Sequence, residues 1–257
     1  MTCLCFLIMD TTQIIILAAG KGTRMGGDLP KALTKLGHQP MLEHVLDTVE
    51  SLDLPRKPIL VVGYQEDLVK EVIGDRGIYV TQSEQKGTGH AVAVAMPYLD
   101  QEITSVIVLL ADQPYVSTKT LKRLVEVKKQ SKNPLTMGTA VITDDQLFEQ
   151  QFYNFGRIIR DDKNNIVANV EARDATEEQK KIREVNPIYF CCDRDWLQDS
   201  LLHLDSKNDQ GELYLTDLVK IAFQEGAFIG SILVDEREAL GANTPEQLTV
   251  LERYLES

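Results

Sequence analysis

The chain has 257 residues, 27 Lys and Arg against 39 Asp and Glu, a formal net charge of -12, and a hydrophobic share of 43%; that is the profile of an ordinary globular protein with one sizeable core. The acidic balance argues against a nucleic-acid partner, which clustered Lys and Arg would have to hold, and no apolar run approaches the ~20 residues of a membrane span. Four cysteines in two tight pairs, Cys3/Cys5 and Cys191/Cys192, have neither zinc-ligand spacing nor the density of a disulfide framework, so they read as buried free thiols of a cytoplasmic protein.

Residues 1–8 lack the basic start and small-residue cleavage site of a signal peptide; with the residues up to 12 they are expected to be an N-terminal extension. Ile14–Leu17 is a β-branched run that enters a glycine turn at Ala18-Ala19-Gly20, the pattern of a buried strand. Met41–Leu52 carries apolar residues at helical spacing. Ile59–Val62 reads as a strand, Asp67–Ile73 as a helix and Ile78–Val80 as a short strand. Gly87-Thr88-Gly89-His90 opens an Ala/Val helix through Met96. Val106–Leu110 is the most apolar strand, followed at once by Ala111-Asp112-Gln113-Pro114, and Thr118–Lys129 is helical. Strands that alternate with helices, each strand almost continuously apolar, predict a parallel sheet covered on both faces. After about residue 135 the pattern turns to mixed strands (136–142, 157–160, 166–169, 185–190), with the polar stretch 143–154 and the charged stretch 173–183 between them. Helix 215–224, strand 228–234 and a last helix from about Pro245 follow. Trp196, with Leu197, Leu201 and Leu202, reads as a packed helix face, and the four His residues show no ligand spacing.

The expected fold is one α/β domain over residues 13–257: a Rossmann-like, mostly parallel mixed sheet flanked by helices. Within it, about 13–135 would bind nucleotide and about 136–257 would form a β-rich substrate lobe.

Open α/β sheets bind ligands at the carboxyl ends of their strands, where Gly20–Lys31 lies. Gly20-Lys21-Gly22-Thr23-Arg24-Met25-Gly26 has three residues between its second and third glycines, where the dinucleotide fingerprint has two, and it lacks the Walker Lys-Ser/Thr. The glycines let backbone N–H groups converge on an anion, and Lys21, Arg24 and Lys31 add charge, with Arg24 and Lys31 spaced to grip successive phosphates. Asp112, at the end of the strongest strand, suits a divalent cation that bridges substrate phosphates, and it equally suits an Asx turn.

Leu17-Ala-Ala-Gly-Lys-Gly-Thr-Arg-Met25 with Leu29-Pro-Lys31 resembles the signature of sugar-1-phosphate nucleotidyltransferases. Gln82–His90, Phe155–Ile158, Val170–Thr176, Gly211–Asp217 and Gly241–Asn243 follow in order. Together these resemble the N-acetylglucosamine-1-phosphate uridylyltransferase domain of a bifunctional bacterial enzyme, over about residues 13–255 and without a counterpart of its acetyltransferase half. The resemblance implies the nucleotide-diphospho-sugar transferase fold and Mg²⁺-dependent transfer of UMP from UTP to a sugar 1-phosphate, with N-acetylglucosamine 1-phosphate the first candidate. It implies Arg24 and Lys31 as catalytic cations, and Leu17, Ala18, Ala19, Gly20, Gly22, Gln82, Gly87 and Thr88 as the nucleotide site. Gly156, Glu171, Asn186, Tyr214 and Thr216 correspond to the sugar-phosphate pocket, and Asp112 with Asn243 to the Mg²⁺ ligands. Two positions depart from the pattern: Leu110-Ala111 replaces Tyr-Gly, and Asn186-Pro187-Ile188 replaces Asn-Thr-Gly. A cytidylyltransferase of the same superfamily, which Ala111-Asp-Gln-Pro114 also resembles, and a catalytically silent nucleotide-binding protein are the alternatives.

Overall fold

The computed structural model describes residues 9–208 and 210–255; residues 1–8 of the expected extension, with Cys3 and Cys5, lie outside the described residues. Met9 is buried and the first strand starts at Thr12, inside the span expected to be an extension. β1 (Thr12–Leu17) leads through the glycine loop to a small hairpin, β2 (Lys35–Leu36) and β3 (Gln39–Pro40), and then to α1 (Met41–Glu50). β4 (Ile59–Val62), α2 (Glu66–Ile73), β5 (Ile78–Thr81), α3 (Thr88–Ala95), β6 (Ser105–Leu110) and α4 (Thr118–Ser131) complete the alternating part.

The second part begins with β7 (Leu135–Val141). The stretch expected to be merely polar is instead helical, α5 (Asp145–Leu147) running into a wider turn to Phe152. β8 (Gly156–Arg160), β9 (Ile166–Val170), α6 (Glu177–Lys180), β10 (Glu184–Asn186), β11 (Phe190–Asp193), α7 (Arg194–Leu201), α8 (Leu218–Gln224), β12 (Gly230–Leu233) and α9 (Pro245–Leu255) follow.

Among the described residues, the ten strands other than the β2–β3 hairpin form one sheet in the order β5-β4-β1-β6-β11-β7-β10-β8-β9, with β12 on β7. β5, β4, β1, β6, β7, β12 and β8 run one way, and β11, β10 and β9 run the other. Because strand side chains alternate between faces, the sheet divides the core in two. Ile14 and Ile16 join one cluster, closed by α1, α2, α4 and α9, while Ile15 joins the other, closed by α3, α7 and α8. Cys191 and Cys192 alternate in the same way and are buried free thiols. Burial drives the Cys191 thiol up to about 12.

One expected strand, 185–190, is broken. β10 and β11 lie along β7, with Val185 opposite Ala140 and Phe190 opposite Met137. Five residue steps on one strand thus face three on the other. The extra residues form a bulge at Pro187-Ile188, where proline has no N–H for the ladder and Ile188 takes a φ of +62. β1 sits between β4, which follows it in the chain, and β6. The carboxyl ends of β1 and β6 therefore flank the crevice at which such sheets take ligands.

Candidate functional site

A cavity of about 340 Å³ opens over these strand ends, at the lower end of the size range of small-molecule sites. The β1–β2 connection forms one wall. Gly22 has a φ of +68, and a Cβ there would lie 2.8 Å from Lys31 Cβ, so the absence of a side chain is what lets the loop close on Lys31. Lys31 Nζ then pairs with Asp112 Oδ2 and donates to Asn243 Oδ1 at 2.9 Å. Arg24, exposed on the loop, donates to the same Asn243 oxygen at 3.2 Å. Lys21 lies over the Tyr64 ring, 5.2 Å from its centroid.

Asp112 continues β6 and is 5% exposed. Asn243 is carried to it by the segment before α9: Ala242 N–H donates to Asp112 C=O at 3.2 Å and Asn243 N–H to Gln247 Oε1 at 2.8 Å. The sequence gives no spacing that pairs Asp112 with Asn243; the fold brings them together around one ammonium. A carboxylate and an amide oxygen that converge where a cation already sits fit Mg²⁺, which binds one or two protein oxygens together with water and phosphate. Among the described residues no group of three or more His, Cys, Asp or Glu gathers into a closed metal site.

On one side of this centre lie Leu17, Ala19, Gly20, Gln82, Gly87 and Thr88. Gln82 is 4% exposed, and its amide donates to Gly87 C=O at 3.0 Å and meets His90 Nδ1 at 3.1 Å. Gly87 has a φ of +103 and a virtual Cβ 2.6 Å from Leu213 C=O. Around it, Gly89 N–H donates to Leu213 C=O and Leu215 N–H to Thr88 Oγ1. The start of α3 is thereby fastened to the 211–217 segment. Gln85, which the sequence reading missed, also lines the cavity and donates to Ala19 C=O at 2.6 Å; a lone polar residue in a loop carries no pattern that would single it out.

The other side holds Gly156, Glu171, Asn186 and Thr216, together with Phe155 of the same motif as Gly156 and the unforeseen Asn154. Arg157, fully buried, donates to the carbonyls of Phe152, Tyr153, Phe155 and Lys180 and pins the turn that presents Gly156. Glu171 Oε1 accepts from Thr216 Oγ1 at 2.6 Å and from Asn169 Nδ2 at 3.2 Å. Burial raises the Glu171 carboxyl above the ordinary range, and these two donors pull against it. Leu110, Pro187 and Ile188, the residues at the departures from the family pattern, form an apolar stretch of the same wall. Ala18, Gly22, Arg24 and Tyr214 stand behind or beside the lining, Ala18 donating to Val61 C=O and Tyr214 buried.

The model of the MobA-like NTP transferase domain matches residues 14–212. A relative from Heliobacterium modesticaldum, "Bifunctional protein GlmU", is 42% identical over 249 residues, 96% of this chain and 53% of its own length. Proteins of the same title from Alcanivorax borkumensis and Psychrobacter sp. (strain PRwf-1) are 40% and 43% identical over 93% and 95% of the chain, and 51% of their own lengths is covered in each case. The chain spans about half the length of the curated relatives it matches.

Proposed function

Since the chain belongs to the MobA-like NTP transferase domain family and is a nucleotidyltransferase, we propose that it transfers UMP from UTP to a sugar 1-phosphate, with N-acetylglucosamine 1-phosphate the first candidate. The observation that carries this reading is the Lys31–Asp112–Asn243 cluster in the lining of a cavity that also takes in Gln82 and Glu171. In the reaction a phosphate oxygen of the acceptor attacks the α-phosphorus of the triphosphate. A new P–O bond forms, the bond to the bridging oxygen breaks, and pyrophosphate leaves. The attacking phosphate is already ionised near neutral pH, so no side chain has to take its proton. What the protein must supply is position and positive charge.

Lys31 and Arg24 supply the charge, and the turn at Gly20 and Gly22 lets backbone approach the phosphates. Asp112 and Asn243 would hold Mg²⁺, which would supply further positive charge against the phosphates. Gln82, fixed by Gly87 and His90, offers an amide to the base; Gly87 and Thr88 hold the edge of the nucleotide pocket, with Leu17 and Ala19 as its floor. Glu171 and Thr216 serve acceptor hydroxyls, and Gly156 allows close approach. Asn186 completes the lining of that pocket, and Tyr214 supports it from beside.

The test is pyrophosphate release from UTP, CTP, GTP and dTTP with a panel of sugar 1-phosphates and Mg²⁺. Highest turnover with UTP and a sugar 1-phosphate is expected. No release with any sugar 1-phosphate would sink the acceptor assignment. Preference for CTP would favour a cytidylyltransferase, the reading to which the Ala111-Asp-Gln-Pro114 strand end lends support.

A further inference from the structure

Four polar groups along the Glu171 side of the cavity form a chain whose direction is set at one end. The Ile188 N–H is a backbone donor and cannot exchange roles. It donates to Asn186 Oδ1 at 2.8 Å, so Asn186 must turn its Nδ2 outward, and that Nδ2 donates to Asn169 Oδ1 at 3.3 Å. Asn169 must in turn present its own Nδ2, which donates to Glu171 Oε1 at 3.2 Å. Reversing either amide would set donor against donor or acceptor against acceptor. Thr216 Oγ1 ends on the same Oε1 at 2.6 Å.

The place of the Asn169 side chain is equally determined. In the β8–β9 ladder Asn169 is opposite Ile158, two residues from Gly156. A Cβ at Gly156 would lie 2.6 Å from Asn169 Oδ1 and 2.8 Å from Nδ2. The amide therefore packs over the glycine, in space that any other residue at 156 would take.

We propose that Asn169 is a positioning residue for the acceptor substrate: it relays the fixed polarity of the Ile188 N–H to Glu171. Two protein donors then hold Oε1, and Oε2 is left to accept from a hydroxyl of the sugar phosphate. The proposal rests on the acceptor reading given above. Asn186, which lines the cavity, joins the chain through one hydrogen of its Nδ2 and keeps the second for the acceptor. The groups that act on the Glu171 charge are Thr216, Asn169 and Arg157, which favour the carboxylate, and burial and Asp174, which disfavour it; Asp217 and Tyr214 feel the Glu171 charge in turn.

The test uses Asn169→Ala and Gly156→Ala in the full chain. Titration of the Glu171 side-chain carboxyl by ¹³C NMR, in protein without substrate, should move to higher pH in Asn169→Ala because a donor to the carboxylate is gone. In steady-state assays the acceptor KM should rise about tenfold while the nucleotide KM stays unchanged. Gly156→Ala, which evicts the amide, should reproduce the shift of the substrate-free Glu171 titration and add little to it in Asn169→Ala, where the space is free. An unmoved Glu171 titration would overturn the proposal, and so would equal loss of affinity for both substrates in Asn169→Ala or full additivity of the two variants in the titration. The titration needs no turnover, so failure of the wild-type chain to use any sugar 1-phosphate would count against the function reading alone.

Discussion

Lys31 holds two oxygens that no sequence spacing relates, and its side chain lies in the cavity lining. Lys31→Met keeps the stem and removes the charge; turnover should fall at least about a hundredfold, as for loss of a preorganised electrostatic contact to a developing anion, read by pyrophosphate release at saturating substrates. Glu171 makes a different prediction, in pH. Its folded-state pKa is raised mainly by burial, so the neutral form carries no penalty at low pH. Stability is then lost as pH climbs from the ordinary Glu range through the raised value. Asp217, raised by burial too, adds to the same slope. Glu171→Gln should remove part of this loss: thermal midpoints measured from pH 4 to 8 should fall less than those of the wild type, even as acceptor turnover drops. A midpoint curve parallel to the wild type would contradict the assignment.

The start of α3 shows how one element serves two neighbours. Gly87 turns the chain at a φ of +103, which seats the Gln82 amide on its carbonyl and brings Thr88 and Gly89 to the 211–217 segment. Gly87→Ala would drive a Cβ into Leu213 C=O in a backbone region that disfavours side chains. A loss of roughly 1–3 kcal/mol in chemical denaturation is expected, along with weaker nucleotide binding. Elements of this kind were legible to different degrees. The apolar runs of β1, β4 and β6 and the glycines after β1 announce themselves, because period and composition are local properties. Asn169 and Gln85 do not, since their roles arise from residues far away in the chain. Thr176 and Gln179 close a capping box at α6 inside a stretch that charge alone presents as a loop. The break in 185–190 was signalled by Pro187, but the apolar residues on either side outweighed it in a reading by pattern.

At the scale of the molecule, an acidic chain brings Arg24 and Lys31 together on Asn243 at the cavity, so the field that repels polyanions elsewhere admits small ones there. The two halves of the sheet meet at β11, which pairs with β6 on one side and β7 on the other, and β10 carries the same line of chain into the lobe with β8. Counting explains why the bulge between them has the size it has. Val185 belongs to one core and Phe190 to the other, as do their partners Ala140 and Met137. Five steps against three are both odd, so two surplus residues leave every side chain on its proper face, whereas one would invert a whole strand. Deleting Pro187 alone should therefore leave no cooperative unfolding transition, while deleting Pro187 and Ile188 together should give a folded protein with an altered acceptor wall; circular dichroism melts would separate the two. The cavity wall can thus change its length only in even increments, a rule of parity imposed on the candidate site by the sheet beneath it.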